Sequence, residues 1–124
     1  MKISIAAGAT VILDSVDITG TNDGNYSWAG INCVGDATII LSGDNNVKGF
    51  YYDYPGVHIA SGYTLTIKGD GSLTPQATAT GGQFGADIGS GPNASCGTIT
   101  ITDGVTSVTA TNGENASHSI GAGP

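Results

Sequence analysis

The feature that most constrains this chain is a unit written four times, with the start of a fifth. A short apolar pair anchors it. Ile3-Ser4-Ile5, Ile31-Asn32-Cys33, Val57-His58-Ile59, Ile88-Gly89-Ser90 and Ile120-Gly121-Ala122 recur at steps of 28, 26, 31 and 32 residues. After each of the first four anchors comes a turn and a second alternating segment: Ala9-Thr10-Val11-Ile12-Leu13, Ala37-Thr38-Ile39-Ile40-Leu41, Tyr63-Thr64-Leu65-Thr66-Ile67 and Gly97-Thr98-Ile99-Thr100-Ile101. A third short segment follows around Ile18, Val47, Leu73 and Val108, and a long polar, Gly-rich loop leads to the next anchor. A repeat of this length cannot bury an apolar face alone, so successive units must stack.

Within each segment the apolar residues alternate with polar ones, the period of a strand. Inward positions are then Ile3, Ile5, Ile31, Cys33, Val57, Ile59 and Ile88 on the first strand. Val11, Leu13, Ile39, Leu41, Leu65, Ile67, Ile99 and Ile101 follow on the second, and Ile18, Val47, Leu73 and Val108 on the third. No stretch holds an i, i+3, i+4 pattern for two turns without Gly, and 21 Gly with 4 Pro punctuate the chain too often for helices. The expectation is an all-β, parallel β-solenoid of about four coils of three short strands. It forms one domain, 1–124, with coils near 3–30, 31–56, 57–87 and 88–119 and a fifth beginning at 120. A compact β-sandwich is the alternative, but it needs hairpins where this chain returns an equivalent strand every 26 to 32 residues. Four coils at ~4.8 Å each give a rod about 20 Å tall with open, uncapped ends. Such a chain is either a piece of a longer solenoid or a homo-oligomer that stacks end to end.

Charge narrows the partners. Three Lys, no Arg and ten acids leave a net charge of −7, which offers no basic stripe for nucleic-acid phosphates or anionic membranes. No apolar run approaches the ~20 residues of a membrane span, so a soluble chain is expected. The N-terminus enters its first strand directly, without the apolar core of an export signal. It is therefore either cytosolic or a mature domain or fragment whose signal lay elsewhere.

Several stretches carry a family likeness: Trp28-Ala-Gly-Ile-Asn-Cys33, Ala37-Thr-Ile-Ile-Leu-Ser-Gly43, Tyr54-Pro-Gly-Val-His-Ile59, Tyr63-Thr-Leu-Thr-Ile-Lys-Gly-Asp-Gly-Ser-Leu73, Ile88-Gly-Ser-Gly91 and Cys96-Gly-Thr-Ile-Thr-Ile101. The chain resembles the Gly-rich right-handed β-helix repeats of large secreted and cell-surface bacterial proteins, often labelled carbohydrate-binding. That resemblance implies a right-handed coil, an exported or cell-surface location and a glycan or polysaccharide partner. Where the family often runs Gly-Ile-Gly-Gly, this chain has Asp87-Ile88-Gly89-Ser90.

The aromatic residues concentrate at one place in the repeat. Trp28 and Tyr54 each lie three residues before an anchor, Tyr26 and Tyr52 two residues earlier, and Phe84 one residue off the same position in the next coil. Stacked coils would line these five into an aromatic edge, with Phe50 and Tyr51 nearby. Rings beside polar groups are what sugar rings bind; the competing role is a satellite cluster folded over the long loops. Asp23, Asp53, Asp87 and Glu114 fall in the same loops, and oxygen ligands of this kind suit Ca²⁺. Asp14, Asp44, Asp70 and Asp103 follow the second strand in each coil, where Asp ordinarily bonds its own turn.

Other readings have less behind them. A carboxylate pair such as Asp53 and Asp87 has the makings of a glycosidase acid and base, but no Arg is present to act in β-elimination or clamp a uronate, so a non-catalytic module is expected. Outward Thr10, Thr38, Thr64 and Thr98 form one rank and Ile12, Ile40, Thr66 and Thr100 the next, similar to the Thr ladders of ice-binding solenoids; plain β-propensity also accounts for them. His58 and His118 pair with nothing that makes a metal site. Cys33 reads as a buried free thiol, and Cys96 is too far along the stack for a bridge to it.

Overall fold

In a computed structural model, residues 3–18, 28–49, 54–76, 88–89, 96–108 and 120–121 are described. Among them every regular element is a strand, and no helix is long and apolar enough to cross a membrane. The anchors form β1 (Ile3–Ile5), β4 (Ile31–Cys33), β7 (Val57–Ile59), β10 (Ile88–Gly89) and β13 (Ile120–Gly121). The second segments form β2 (Thr10–Asp14), β5 (Ala37–Ser42), β8 (Thr64–Gly69) and β11 (Thr98–Ile101). The third form β3 (Asp17–Ile18), β6 (Asp44–Lys48), β9 (Ser72–Gln76) and β12 (Ser107–Val108).

Among the described residues, each strand pairs only with its equivalents in neighbouring repeats. The sheets run β1-β4-β7-β10-β13, β11-β8-β5-β2 and β12-β9-β6-β3, and the ladder pairings are parallel. Three parallel sheets thus stack like the coils of a solenoid. Between them lies a continuous apolar core of Ile5, Ile31, Cys33, Ile39, Leu41, Val57, Ile59, Leu65, Ile67, Leu73 and Ile88, each at most 2% exposed. Burying a side chain of this size stabilises by about 1.5–3 kcal/mol, and the column supplies it to strands too short to persist alone.

The register departs from the simple reading of the repeat. Val11 lies over Ile39 and Ile39 over Ile67, while Leu65 pairs with Ala37, so β8 sits two residues further along than matching Thr38 to Thr64 would place it. The third sheet follows: Leu73 pairs with Asn45, and Val47, which covers Ile18, pairs with Pro75. The cause is a longer turn, since Thr38 follows Cys33 by five positions whereas its partner Thr66 follows Ile59 by seven. A slip of one residue would expose the core face, but a slip of two leaves inside and outside unchanged.

Ile101, expected in the core, is 41% exposed. It points the same way as Ile67, its ladder partner, but among the described residues β11 is the last strand of its sheet and no further strand covers it. Ile3, Val11, Ile99 and Val108 are half-buried for the same reason. Two glycines make the stacking fit. Gly69 has φ +101, and a Cβ there would strike the Leu41 backbone; a Cβ on Gly97 would strike the Tyr63 carbonyl oxygen.

Candidate functional site

The expected site residues divide sharply. Tyr26, Tyr52, Phe84, Asp23, Asp53 and Asp87 lie outside the described residues, as do Glu114 and His118. Trp28 and Tyr54 are placed, each just ahead of a strand of the first sheet. The pairing of Ile31 with Val57 continues backwards, because Ile31 N–H donates to Gly56 O at 2.8 Å and Gly30 N–H to Pro55 O at 3.4 Å. Gly30 allows this approach, since a Cβ there would come within 2.7 Å of Lys48 O and 2.9 Å of Gly56 O. Trp28 and Tyr54 therefore precede adjacent strands held in register, but their surroundings differ. Trp28 is half-buried and packs on the apolar core, whereas Tyr54 is 38% exposed. Tyr54 has a fixed backbone: its carbonyl lies directly against Gly49, and the Pro55 that follows is buried.

At the centre of the first sheet the outward residues are Ser4, Asn32 and His58, paired strand to strand. Val57 and Ile59 are fully buried, so His58 between them faces out. Its Nδ1 lies 2.8 Å from Asn32 Oδ1. Nδ1–H donates to the amide oxygen, which leaves Nε2 as an acceptor. Burial pushes His58 below the ordinary imidazole range, so the ring is neutral at neutral pH.

Beyond the far end of β7 lies a residue that the alternation pattern counts as part of a strand. Tyr63 is 41% exposed on the turn before β8. Its N–H donates to Ala60 O at 3.3 Å and its carbonyl accepts the Thr98 N–H at 2.9 Å. The next residue, Thr64, donates its N–H to Asp36 Oδ1 at 2.8 Å. The two-residue extension that shifts β8 is what carries Tyr63 onto the surface. Its signal in the sequence is that longer spacing, hidden because Tyr63-Thr64-Leu65 also alternates.

The second sheet's outer face is reorganised by the same shift. Thr10, Thr38, Thr66 and Thr100 form one unbroken rank, and beside it run Ile12, Ile40 and Lys68. The two expected ranks, Thr10-Thr38-Thr64-Thr98 and Ile12-Ile40-Thr66-Thr100, are not those that form. The turn acids do not share one file either, because Asp14 pairs with Ser42 whereas Asp44 pairs with Ser72 and accepts its hydroxyl at 2.6 Å. Among the described residues no three His, Cys, Asp or Glu side chains gather as a metal site would require. Cys33 and Cys96 are free thiols. Burial raises the Cys33 pKa to about 11, and the Cys96 thiol donates to Gly97 O at 3.0 Å.

No protein-family model, no curated protein and no solved structure matches the chain.

Proposed function

We propose that this chain is a non-catalytic, right-handed β-helix module of an exported bacterial protein, and that it binds a polysaccharide or glycan through an aromatic edge. The supporting observation is Tyr54, an exposed ring on a backbone fixed between Gly49 and the buried Pro55. A Tyr side chain has only two χ angles to order when a sugar stacks on it, so the entropy cost is small. Trp28, half-buried against the core, is the edge's second placed ring. Tyr26, Tyr52, Phe84, Asp53 and Asp87 complete the proposed contact set, and Asp23, Asp53 and Asp87 are the groups through which Ca²⁺ would act.

The test is electrophoresis of the purified protein through gels containing plant, microbial or mucin-type polysaccharides, with Ca²⁺ and with EDTA. Retardation by one class, relieved in Tyr54→Ala, is the expected result. Loss in EDTA assigns the Ca²⁺ role; retention removes it. Equal mobility in every gel overturns the reading.

A second reading, a structural unit stacking end to end, draws on the exposure of Ile101 and the half-exposure of Ile99 at the last strand of the second sheet. Light scattering on wild type and Ile101→Asp separates the readings: a concentration-dependent polymer dissolved by the substitution favours stacking, and a monomer in both favours the binding module.

A further inference from the structure

The first sheet carries a polar file with an exposed tyrosine beyond each end of one strand. Tyr54 precedes β7 by three residues and Tyr63 follows it by four, with 38% and 41% of their surfaces exposed. Between them the outward groups are His58 and Asn32, already bonded to each other. The chain is extended through β7 and turns at Ser61 and Gly62 before Tyr63, so the two tyrosines lie well within the roughly 30 Å that nine extended residues would span, a reach that suits a short oligosaccharide. Both platforms are held by backbone contacts. Tyr63 is bonded on one side to Ala60 and on the other to Thr98, and Tyr54 lies against Gly49.

Charge selects the ligand. The outward file of this sheet is Ser4, Asn32, His58, Gly89 and Gly121, without a cation. At the Tyr63 corner lies the exposed Asp36 carboxylate, which accepts the Thr64 N–H. The whole chain carries −7. A uronate, sulfated or sialylated chain would meet net repulsion from a chain of this charge. An uncharged glycan would find two ring faces, the His58 Nε2 acceptor for a hydroxyl, and the carboxylate oxygen of Asp36.

We infer that the ligand is an uncharged glycan chain lying across the outer face of the first sheet, stacked on Tyr54 and Tyr63 and hydrogen-bonded between them at His58. This rests on the glycan-binding reading and adds Tyr63, His58, Asn32 and Asp36 to it. None of these four belongs to the aromatic edge that the repeat pattern suggests.

The probes are three neutral polymers (xyloglucan, galactomannan and soluble starch) and two anionic ones (polygalacturonate and alginate), used in retardation gels and titration calorimetry. Wild type should bind at least one neutral polymer and neither anionic one. Tyr63→Ala and His58→Ala should each weaken that binding by about tenfold or more, the scale of one stacked ring or one hydrogen bond. Tyr63 is exposed, so its substitution leaves the melting temperature near wild type and keeps the test usable where His58→Ala perturbs folding. Binding that is lost in Tyr54→Ala but unchanged in Tyr63→Ala overturns the inference and leaves the aromatic edge standing. A preference for the anionic polymers also overturns it. Binding to none of the five, together with equal mobility across the wider panel, removes the parent reading.

Discussion

Asn45 Oδ1 accepts the backbone N–H of Val16 at 2.8 Å across the boundary between two stacked repeats. Asn45 is 1% exposed, the one buried polar side chain among the described residues. Its Nδ2 faces three carbonyls, Ser42 O at 3.2 Å and Gly43 O and Ser72 O at 3.3 Å each. One side chain thereby ties three successive repeats at the corner between the second and third sheets. Asn45→Ala strands the Val16 N–H, which costs about 1–3 kcal/mol. A melting temperature lowered by several degrees is expected, and an unchanged one would mean that the corner is held elsewhere.

Gly69→Ala tests the stacking at a backbone position. The residue has φ +101, and its missing Cβ is what lets the chain lie on Leu41. Strain of this kind costs on the order of 1–3 kcal/mol. Gly62→Ala is the comparison, because Gly62 also has a positive φ (+91) but open space where its Cβ would be. Denaturant titration should show Gly69→Ala to be the more destabilising; equal losses would assign the whole effect to φ.

The two thiols should separate in a labelling experiment. Cys33 is buried, with its pKa raised to about 11, so almost no thiolate is present at pH 8. Cys96 is only half-buried. Iodoacetamide should modify Cys96 in the native protein and Cys33 only after denaturation. Rapid native labelling of Cys33 would contradict the packed core.

Burial holds His58 below its ordinary range in the folded protein. As pH falls through about 6.5, the unfolded chain takes up its proton first. The stability contribution is therefore complete above that pH and is lost progressively on acidification towards the folded pKa. The slope of stability against pH between about 7 and 5 should flatten in His58→Gln. An identical slope would place the acid sensitivity on another group.

The fold was legible because its main signal is redundant. Alternation and recurrence both report which residues face in, and Ile5, Ile31, Ile39, Ile59, Leu65, Ile67 and Leu73 are all buried where that pattern puts them. Register was less so. Leu65 matches either Ile39 or Ala37 equally well by parity, and only the longer turn after Ile59 decides between them. Asn45 was invisible for a different reason, since an Asn among Asp44, Asn45 and Asn46 reads as a turn, and only the stacked repeats supply the N–H and carbonyls that let it be buried. Of the expected aromatic edge, Tyr54 is exposed and Trp28 packs against the core, while the other three residues lie outside the described ones. Tyr63 carries no signal of its own in the sequence, because it continues the alternation of its strand.

Chemical-shift mapping on isotope-labelled protein, titrated with the neutral polysaccharide that retards it most, tests the central claim most directly. The account predicts perturbations concentrated at Tyr54, Asn32, His58 and Tyr63, with the Thr10-Thr38-Thr66-Thr100 face unaffected. Perturbations confined to that Thr face, or none at saturating polymer, would contradict it.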